Sequence, residues 1–349
     1  MLPYILFWII LLILLFGVKY PRNVLPIAIL MSAFTGFRVG IGSDFAMYQS
    51  MIDNYGLKEI RDCEFLQLVL IGFAHNTIPQ LFFVINAFFA ISIIIYCIHH
   101  FSKKDGQFAV RCLFFVAYPQ FYIQSFNIVR QYTAMAIILI AICFFMSNKK
   151  IQILLILLAY LCHYSAVVGV LILFPWEKIK LKYFWIMLIT SFVMGEFLPN
   201  IILSIKTSFV PLTKLQTYLL SEDLLTRGGN TYLKIILYIF VVLTLINYNN
   251  IIKHSTNYAL YIRLVVVGAS IHAIMAIAPH TAFRTCLYFF MLSTAFFPYV
   301  LKLLRNKSLI AIGAISLFFV YLNILHNSDI KSKSKDTSLW IPYISVFDK

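Results

Sequence analysis

Long apolar runs recur along nearly the whole chain, separated by short polar stretches. Their approximate bounds are 3–18, 24–37, 79–98, 107–124, 127–146, 184–204, 232–248, 258–278, 285–301 and 308–325. A helix that crosses a bilayer needs about 20 predominantly apolar residues, and most of these runs are close to that length. The pattern predicts an all-α polytopic membrane protein with about ten transmembrane helices.

The composition indicates that lipid is the solvent of this chain. Hydrophobic residues make up 62% of the 349 residues and charged residues 12%, against about 45–50% and 25% in soluble domains. A soluble core of this length could not hide so much apolar surface. The run after Met1 has no basic region before it and no small-residue cleavage site, so we expect a retained first span. No soluble insertion interrupts the runs, and residues 1–349 are expected to form a single polytopic membrane domain.

The formal net charge of +15 comes with a positional pattern. Basic residues cluster in short loops between the apolar runs, as cytoplasmic loops of membrane proteins do. No polar segment combines a basic patch with interleaved aromatic residues, so nucleic acid is excluded as a partner. The clusters are Lys19/Arg22, Lys103/Lys104, Lys149/Lys150, Lys178/Lys180/Lys182 and Lys302/Arg305/Lys307.

The run 151–175 is predicted to fold back on itself. A single span there would place the lysines of 178–182 outside, whereas two half-helices meeting at 162–164 return them to the cytoplasm. Every later loop then alternates correctly. With this topology fifteen lysines and arginines lie on the cytoplasmic side against two acids, Asp105 and Glu177, which is the asymmetry expected of an inner face.

The remaining polar segments are assigned to the extracytoplasmic side. They are the loops 38–78 and 206–231 and the tail 326–349, and within the first of them 64–78 is expected to form an interfacial amphipathic helix. The six cysteines contain no C-x-x-C pair and are interpreted as small buried hydrophobic residues. The histidines show no ligand spacing, so neither a metal nor another cofactor is expected.

Ionisable side chains beside membrane spans are costly and therefore point to function. Four separated segments bring such groups to the outer face, and Arg227, which precedes two glycines, adds one from the second loop. An arginine fork binds phosphate bidentately, and the first turn of a helix adds its amides and dipole. The predicted site residues are Arg38, Asp44, Arg130, His163, Arg227 and Arg284.

The same set suggests a substrate and a base. His163 or Asp44 could accept a hydroxyl proton, and the sequence does not choose between them. The site faces away from cytoplasmic ATP, and no nucleotide-binding motif is present. The predicted substrate is therefore a pre-activated lipid phosphate or diphosphate that already lies at the membrane interface.

Four strings in this order resemble the EpsG/Wzy family of polysaccharide (O-antigen-type) polymerases. That family shows R-x-G-x-G-x-D-x-x-x-Y, N-x-x-R-Q and H-x-S-A stretches, and the matching positions are Arg38, Asp44, Arg130, Gln131, His163 and Arg284. The resemblance implies a metal-independent membrane glycosyltransferase of the bacterial inner (plasma) membrane. Its donor would be an oligosaccharide repeat unit on undecaprenyl diphosphate, and its product an O-antigen of lipopolysaccharide or a similar surface glycan. The strings are RVGIGSDFAMY, NIVRQ, HYSA and AFRTCLYF.

One departure from the family concerns Glu64. Members often have a Glu-Pro-Gly-like stretch after the first loop, where this chain reads Cys63-Glu64-Phe65-Leu66. Glu64 is therefore a weaker candidate than the residues above.

The implied partners are the undecaprenyl-diphosphate-linked oligosaccharide, membrane lipid, and a chain-length regulator and flippase of the same pathway. Two alternative functions stay open: a ligase that uses the same donor, and a lipid-linked oligosaccharide flippase or transporter. A flippase should carry charges through both leaflets and show two comparable halves. The unusual charges of this chain crowd one face, which favours an enzyme, and the preference for polymerase over ligase rests on the resemblance.

The topology predicts the accessibility of two engineered cysteines. Ser43→Cys should react with a membrane-impermeant maleimide added outside intact cells, and Lys180→Cys should react only after permeabilisation. Labelling of Lys180→Cys from outside would contradict the topology derived from the fold-back.

Overall fold

The computed structural model describes residues 2–56, 63–205, 231–275, 279–303 and 343–348. Within these ranges the regular structure is helical and no strand occurs, so the predicted all-α class is confirmed. The chain divides into two compact units, Met1–Leu173 with Leu304–Lys349, and Phe174–Leu303.

The first unit contains eight described α-helices and three 3₁₀ helices. The α-helices are α1 Leu2–Gly17, α2 Val24–Gly36, α3 Phe45–Asp53, α4 Phe65–His75, α5 Gln80–Ser102, α6 Phe108–Ala117, α7 Val129–Phe144 and α8 Lys149–Cys162. The 3₁₀ helices are Ile123–Phe126, Tyr164–Leu173 and Val346–Asp348.

The second unit begins with the 3₁₀ helix Trp176–Lys178. Its described α-helices are α9 Leu181–Ser204, α10 Thr231–Ile246, α11 Tyr248–Ile252, α12 Asn257–Ile274, α13 Pro279–Phe290 and α14 Ser293–Leu303.

In the described part of the chain, two helices are by themselves long and apolar enough to cross a membrane, α5 and α12. A third crossing results if the bent pair Ala282–Phe290 and Ser293–Lys302 forms one span. Seven further apolar helices in this part are 10–17 residues long. The total of ten spans stays a prediction, and the run 308–325 lies outside the described residues.

Two predicted spans are interrupted. The run 107–124 was expected to be one helix, but α6 ends at Ala117. Tyr118 is extended, with ψ 107°, because Pro119 follows it and disfavours the helical conformation in the preceding residue. Turns and a short 3₁₀ helix complete the run.

The run 285–301 is bent by 74°. At the bend the Met291 carbonyl accepts hydrogen bonds from the Thr294 amide at 3.2 Å and from the Thr294 hydroxyl at 2.7 Å. These bonds span three residues, where a regular α-helix has backbone hydrogen bonds that span four. Local hydrogen bonds from threonine side chains to the backbone are a known cause of helix bending.

Helix α7 is the centre of the first unit. It packs against α5, α8 and the 3₁₀ helix Tyr164–Leu173, while α5 also packs on α2. Thirteen of the sixteen residues of α7 are buried, as expected for a helix that is hydrophobic on nearly all sides. The side chains in the first turn of α7 therefore lie at one end of the most buried helix of the unit.

The chain reverses at His163, as predicted. Its backbone is extended, and its amide still caps α8 through the Ala159 carbonyl at 2.9 Å. The 3₁₀ helix Tyr164–Leu173 then runs back along α8, and Lys149 Nζ donates to the Ile172 carbonyl at 3.4 Å. The two arms are about 21 and 20 Å long from their helical rises, so they form a hairpin with His163 at its tip.

The described end of the tail packs on the residues that follow α2. Val39 N donates to the Ile344 carbonyl at 2.8 Å, and Val346 N donates to the Phe37 carbonyl at 3.0 Å. The ring of Tyr343 stacks on Phe34 with centroids 4.3 Å apart. This segment therefore lies on the same side of the first unit as the loop that begins at Arg38.

Candidate active site

Arg130 lies in the first turn of α7 and contacts the segment before α4. Its Nη1 donates to Glu64 Oε2 at 2.5 Å and to Cys63 Sγ at 3.3 Å, and its guanidinium lies 5.5 Å from the ring centroid of Tyr48. Burial raises the pKa of the Cys63 thiol, which favours the neutral form. Glu64 is therefore the anionic partner of Arg130 at this position.

The Glu64 carboxylate joins three parts of the chain. It is buried at the start of α4, with Oε2 bonded to Arg130 of α7. Its other oxygen, Oε1, accepts the Tyr164 amide hydrogen at 3.2 Å and lies 3.9 Å from His163 Nε2. One carboxylate thus connects the first polar loop, the amino end of α7 and the tip of the hairpin.

The hydrogen bonds of His163 fix the tautomer of its neutral ring. Nδ1 accepts the Ser165 amide hydrogen at 3.2 Å and lies 2.7 Å from Ser165 Oγ. A backbone amide only donates, so Nδ1 is the unprotonated nitrogen and the neutral ring carries its proton on Nε2. Nε2, the nitrogen that carries this proton, lies 3.9 Å from Glu64 Oε1.

A buried polar bridge sets the register that brings Glu64 to Arg130. Gln67 and Thr133 lie one helical turn beyond Glu64 and Arg130, and side chains three residues apart share a helix face. Gln67 Nε2 donates to Asn86 Oδ1 at 3.1 Å, and Thr133 Oγ1 donates to the same oxygen at 2.7 Å. Because all three groups are buried, the bridge fixes α4 and α7 against α5.

Arg38 is enclosed by its own loop. Only 1% of the residue is exposed, and its guanidinium donates to the carbonyls of Thr35, Ile41 and Phe126. The aromatic rings of Phe83 and Phe126 lie 5.3 and 5.0 Å away. The arginine predicted to bind diphosphate therefore fastens the loop after α2 to the turn before α7 in this structure.

The second glycine of the loop allows this close approach. Gly42 has φ +104°, and a Cβ there would lie 2.5 Å from the Phe126 carbonyl oxygen. Beside it, Ser43 N donates to Asn127 Oδ1 at 2.9 Å. Asp44 follows, half-buried, and accepts a hydrogen bond from Ser43 Oγ at 2.9 Å.

The remaining predicted site residues are Gln131, Arg284 and Arg227. Gln131 is buried, with 2% exposed, next to Arg130 on α7. Arg284 is half-buried in α13, which belongs to the second unit. Arg227 lies outside the described residues. The structure thus brings together Arg130 and His163, joined by the Glu64 that sequence reasoning ranked lower.

A signal for Glu64 was present in the sequence. A carboxylate directly before an apolar helix carries a desolvation cost that only a partner offsets. The sequence does not name that partner, because Arg130 is 66 positions away and the contact depends on how α4 and α7 pack.

Comparison with known proteins agrees with these motifs. The sequence profile of the EpsG family matches residues 22–345, nearly the whole chain. The chain belongs to the EpsG family, which is of the Wzy/EpsG polymerase type, and this confirms the predicted family. At the level of the family it is a membrane polysaccharide polymerase. No curated protein and no solved structure matches the chain.

Two glycine substitutions test the loop packing. At Gly40, with φ +67°, an added Cβ meets nothing within 4 Å, so Gly40→Ala should cost only about 1 kcal/mol of left-handed strain. Gly42→Ala adds the clash with the Phe126 carbonyl and should cost at least about 3 kcal/mol. Thermal unfolding of the detergent-solubilised protein measures both costs, and equal shifts in the unfolding temperature would contradict the close approach of Gly42 to the Phe126 carbonyl.

Proposed function

We propose that this protein polymerises undecaprenyl-diphosphate-linked oligosaccharide repeat units into a surface polysaccharide at the extracytoplasmic face of the bacterial inner membrane, which it crosses many times. The family gives the class of enzyme. The observation that carries the finer proposal is the cluster of Arg130, Glu64 and His163, which places an anion-binding group beside a proton acceptor.

Arg130 is the group best placed to bind the donor diphosphate. Its side chain is 14% exposed, its Nε has no hydrogen-bond partner within the described ranges, and no side chain caps the amino end of α7. A guanidinium at the amino end of a helix without a side-chain cap favours a phosphate group. Gln131, next to Arg130 on α7, is expected to add a contact, and Arg38 supports the site through its loop. Diphosphate binding by Arg284 and Arg227 stays a prediction from the sequence.

The reaction is a direct displacement at the anomeric carbon. The terminal hydroxyl of an incoming lipid-linked unit attacks the reducing-end sugar of the growing chain, and a new C–O bond forms. The bond to the diphosphate breaks, and the lipid diphosphate leaves with the electron pair. Arg130 stabilises the charge that develops on it, which is usually a large contribution to such catalysis.

His163 is the proposed base. Its unprotonated Nδ1 lies 2.7 Å from Ser165 Oγ. The substrate hydroxyl gives its proton to Ser165 Oγ, and the Ser165 hydroxyl gives its own proton to Nδ1. Base catalysis of this kind contributes about 10²–10⁴ in rate. Asp44 stays the alternative base, and direct attack in either case inverts the anomeric configuration.

Reconstitution tests the function. Cells that lack the protein should accumulate lipid-linked repeat units, which can be extracted and added to liposomes that contain the purified protein, without metal or nucleotide sugar. Multi-unit products on the lipid are expected. No chain growth would overturn the proposal; transfer of single units to another acceptor would instead identify a ligase, and movement of units across the bilayer a flippase.

Arg130→Lys tests diphosphate binding. Lysine keeps the charge opposite Glu64 but loses the fork, so the polymerisation rate should fall by at least about 10²-fold. The amount of protein in the membrane should be unchanged. Arg22→Lys, at an exposed loop position, is the matched control and should keep full activity. Wild-type activity of Arg130→Lys would show that Arg130 only anchors α7 at the interface.

A further inference from the structure

We propose that Glu64 is a positioning residue that couples donor binding at Arg130 to proton acceptance at His163. This role rests on the proposed function, because it requires a diphosphate that binds to Arg130 and a hydroxyl that gives its proton to His163 through Ser165.

The exposed fractions of the three side chains show which of them a substrate can reach. The His163 side chain is 27% exposed, that of Arg130 14% and that of Glu64 4%. His163 and Arg130 are thus the groups that a substrate can reach, and Glu64 lies behind both of them. A residue in this position acts through its neighbours and does not touch the reacting atoms.

The two carboxylate oxygens have different partners. Oε2 bonds to Arg130, and Oε1 lies near His163 Nε2 while it accepts the Tyr164 amide hydrogen. The amide bond holds Oε1 at the hairpin tip. When His163 takes a proton on Nδ1, the ring becomes a cation, and its other nitrogen, Nε2, lies 3.9 Å from this anionic oxygen. The carboxylate then stabilises the imidazolium, as the acid of a catalytic triad does.

Donor binding changes the balance between the two partners. In the structure the charge of Glu64 is compensated mainly by Arg130, which lies 2.5 Å away, while His163 Nε2 lies 3.9 Å away. A bound diphosphate competes for the guanidinium and brings negative charge to the cluster. Charges interact strongly in a partly dry site, so the protonated form of His163 then becomes more favourable. His163 thus becomes a stronger base when the donor is bound.

Glu64→Gln separates this role from a structural one. Glutamine has the same length and keeps an oxygen that can accept from Arg130 or Tyr164, but it has no charge. We expect kcat for polymerisation to fall by about 10²-fold, within the range of base catalysis, while the KM for the donor is unchanged or lower. Binding of undecaprenyl diphosphate should be retained. The exposed Glu177 gives the matched control, Glu177→Gln, with wild-type kcat.

The double variant provides the decisive comparison. If Glu64 acts through His163, Glu64→Gln combined with His163→Ala should be no slower than His163→Ala alone, because residues that act as a unit give non-additive losses. Independent, multiplied losses would overturn the coupling, and so would wild-type kcat in Glu64→Gln.

A second substitution, Glu64→Asp, tests the same role if Glu64→Gln does not fold. Glu64→Asp keeps the charge on a shorter side chain, and a reduced kcat with an unchanged donor KM would support the positioning role. A wild-type kcat in Glu64→Asp would overturn it. If the wild-type protein makes no multi-unit products, the proposed function is wrong, and the role of Glu64 is wrong with it. If the wild-type protein is active and Glu64→Gln has the same kcat, only the coupling is wrong.

Discussion

The first unit is organised around the ion pair between Glu64 and Arg130. Each ion taken out of water costs several kcal/mol in a real protein, and removal of one partner of a buried pair costs about 3–5 kcal/mol. The two side chains must therefore stay together, and they come from segments 66 positions apart. The pair fixes the start of α4 to the start of α7, and the second oxygen of Glu64 adds the hairpin tip through the Tyr164 amide.

The arginines of the first unit show that burial alone does not define a binding site. Arg111 is fully buried and forms two 2.7 Å bonds with the Asp105 carboxylate, and Arg38 donates to main-chain carbonyls. Both hold loops against helices. Arg130 differs because its side chain is partly exposed, its Nε has no partner in the described part of the chain, and it lies at an uncapped helix end.

Much of the fold could be predicted from local sequence. Apolar runs gave helix positions such as Val24–Gly36 and Thr231–Ile246 to within a few residues, because burial in lipid depends on composition over a window. The break at Tyr118 also had a local cause, Pro119, that the run of apolar residues concealed. At the bend near Met291 the Thr294 hydroxyl and amide bond the Met291 carbonyl, and the periodicity of apolar residues does not indicate this turn.

The site was less predictable, because its geometry is tertiary. The alternation of basic loops between the two sides of the membrane was enough to predict the reversal at His163. The position of Arg130 in the first turn of a helix was enough to predict it as an anion-binding residue. Whether the guanidinium of Arg38 meets a substrate or a carbonyl depends on the approach of Phe126, 88 positions away. Likewise, Glu64 acquires its importance only when α4, α7 and the hairpin are packed together.

The most direct test of diphosphate binding at the amino end of α7 is an experimental structure of the protein with undecaprenyl diphosphate. We expect phosphate density about 2.7–2.9 Å from the guanidinium nitrogens of Arg130, close to the first-turn amides of α7, with the Arg130–Glu64 bond lengthened. Phosphate density elsewhere, with Arg130 still bonded to Glu64 at 2.5 Å, would contradict this site.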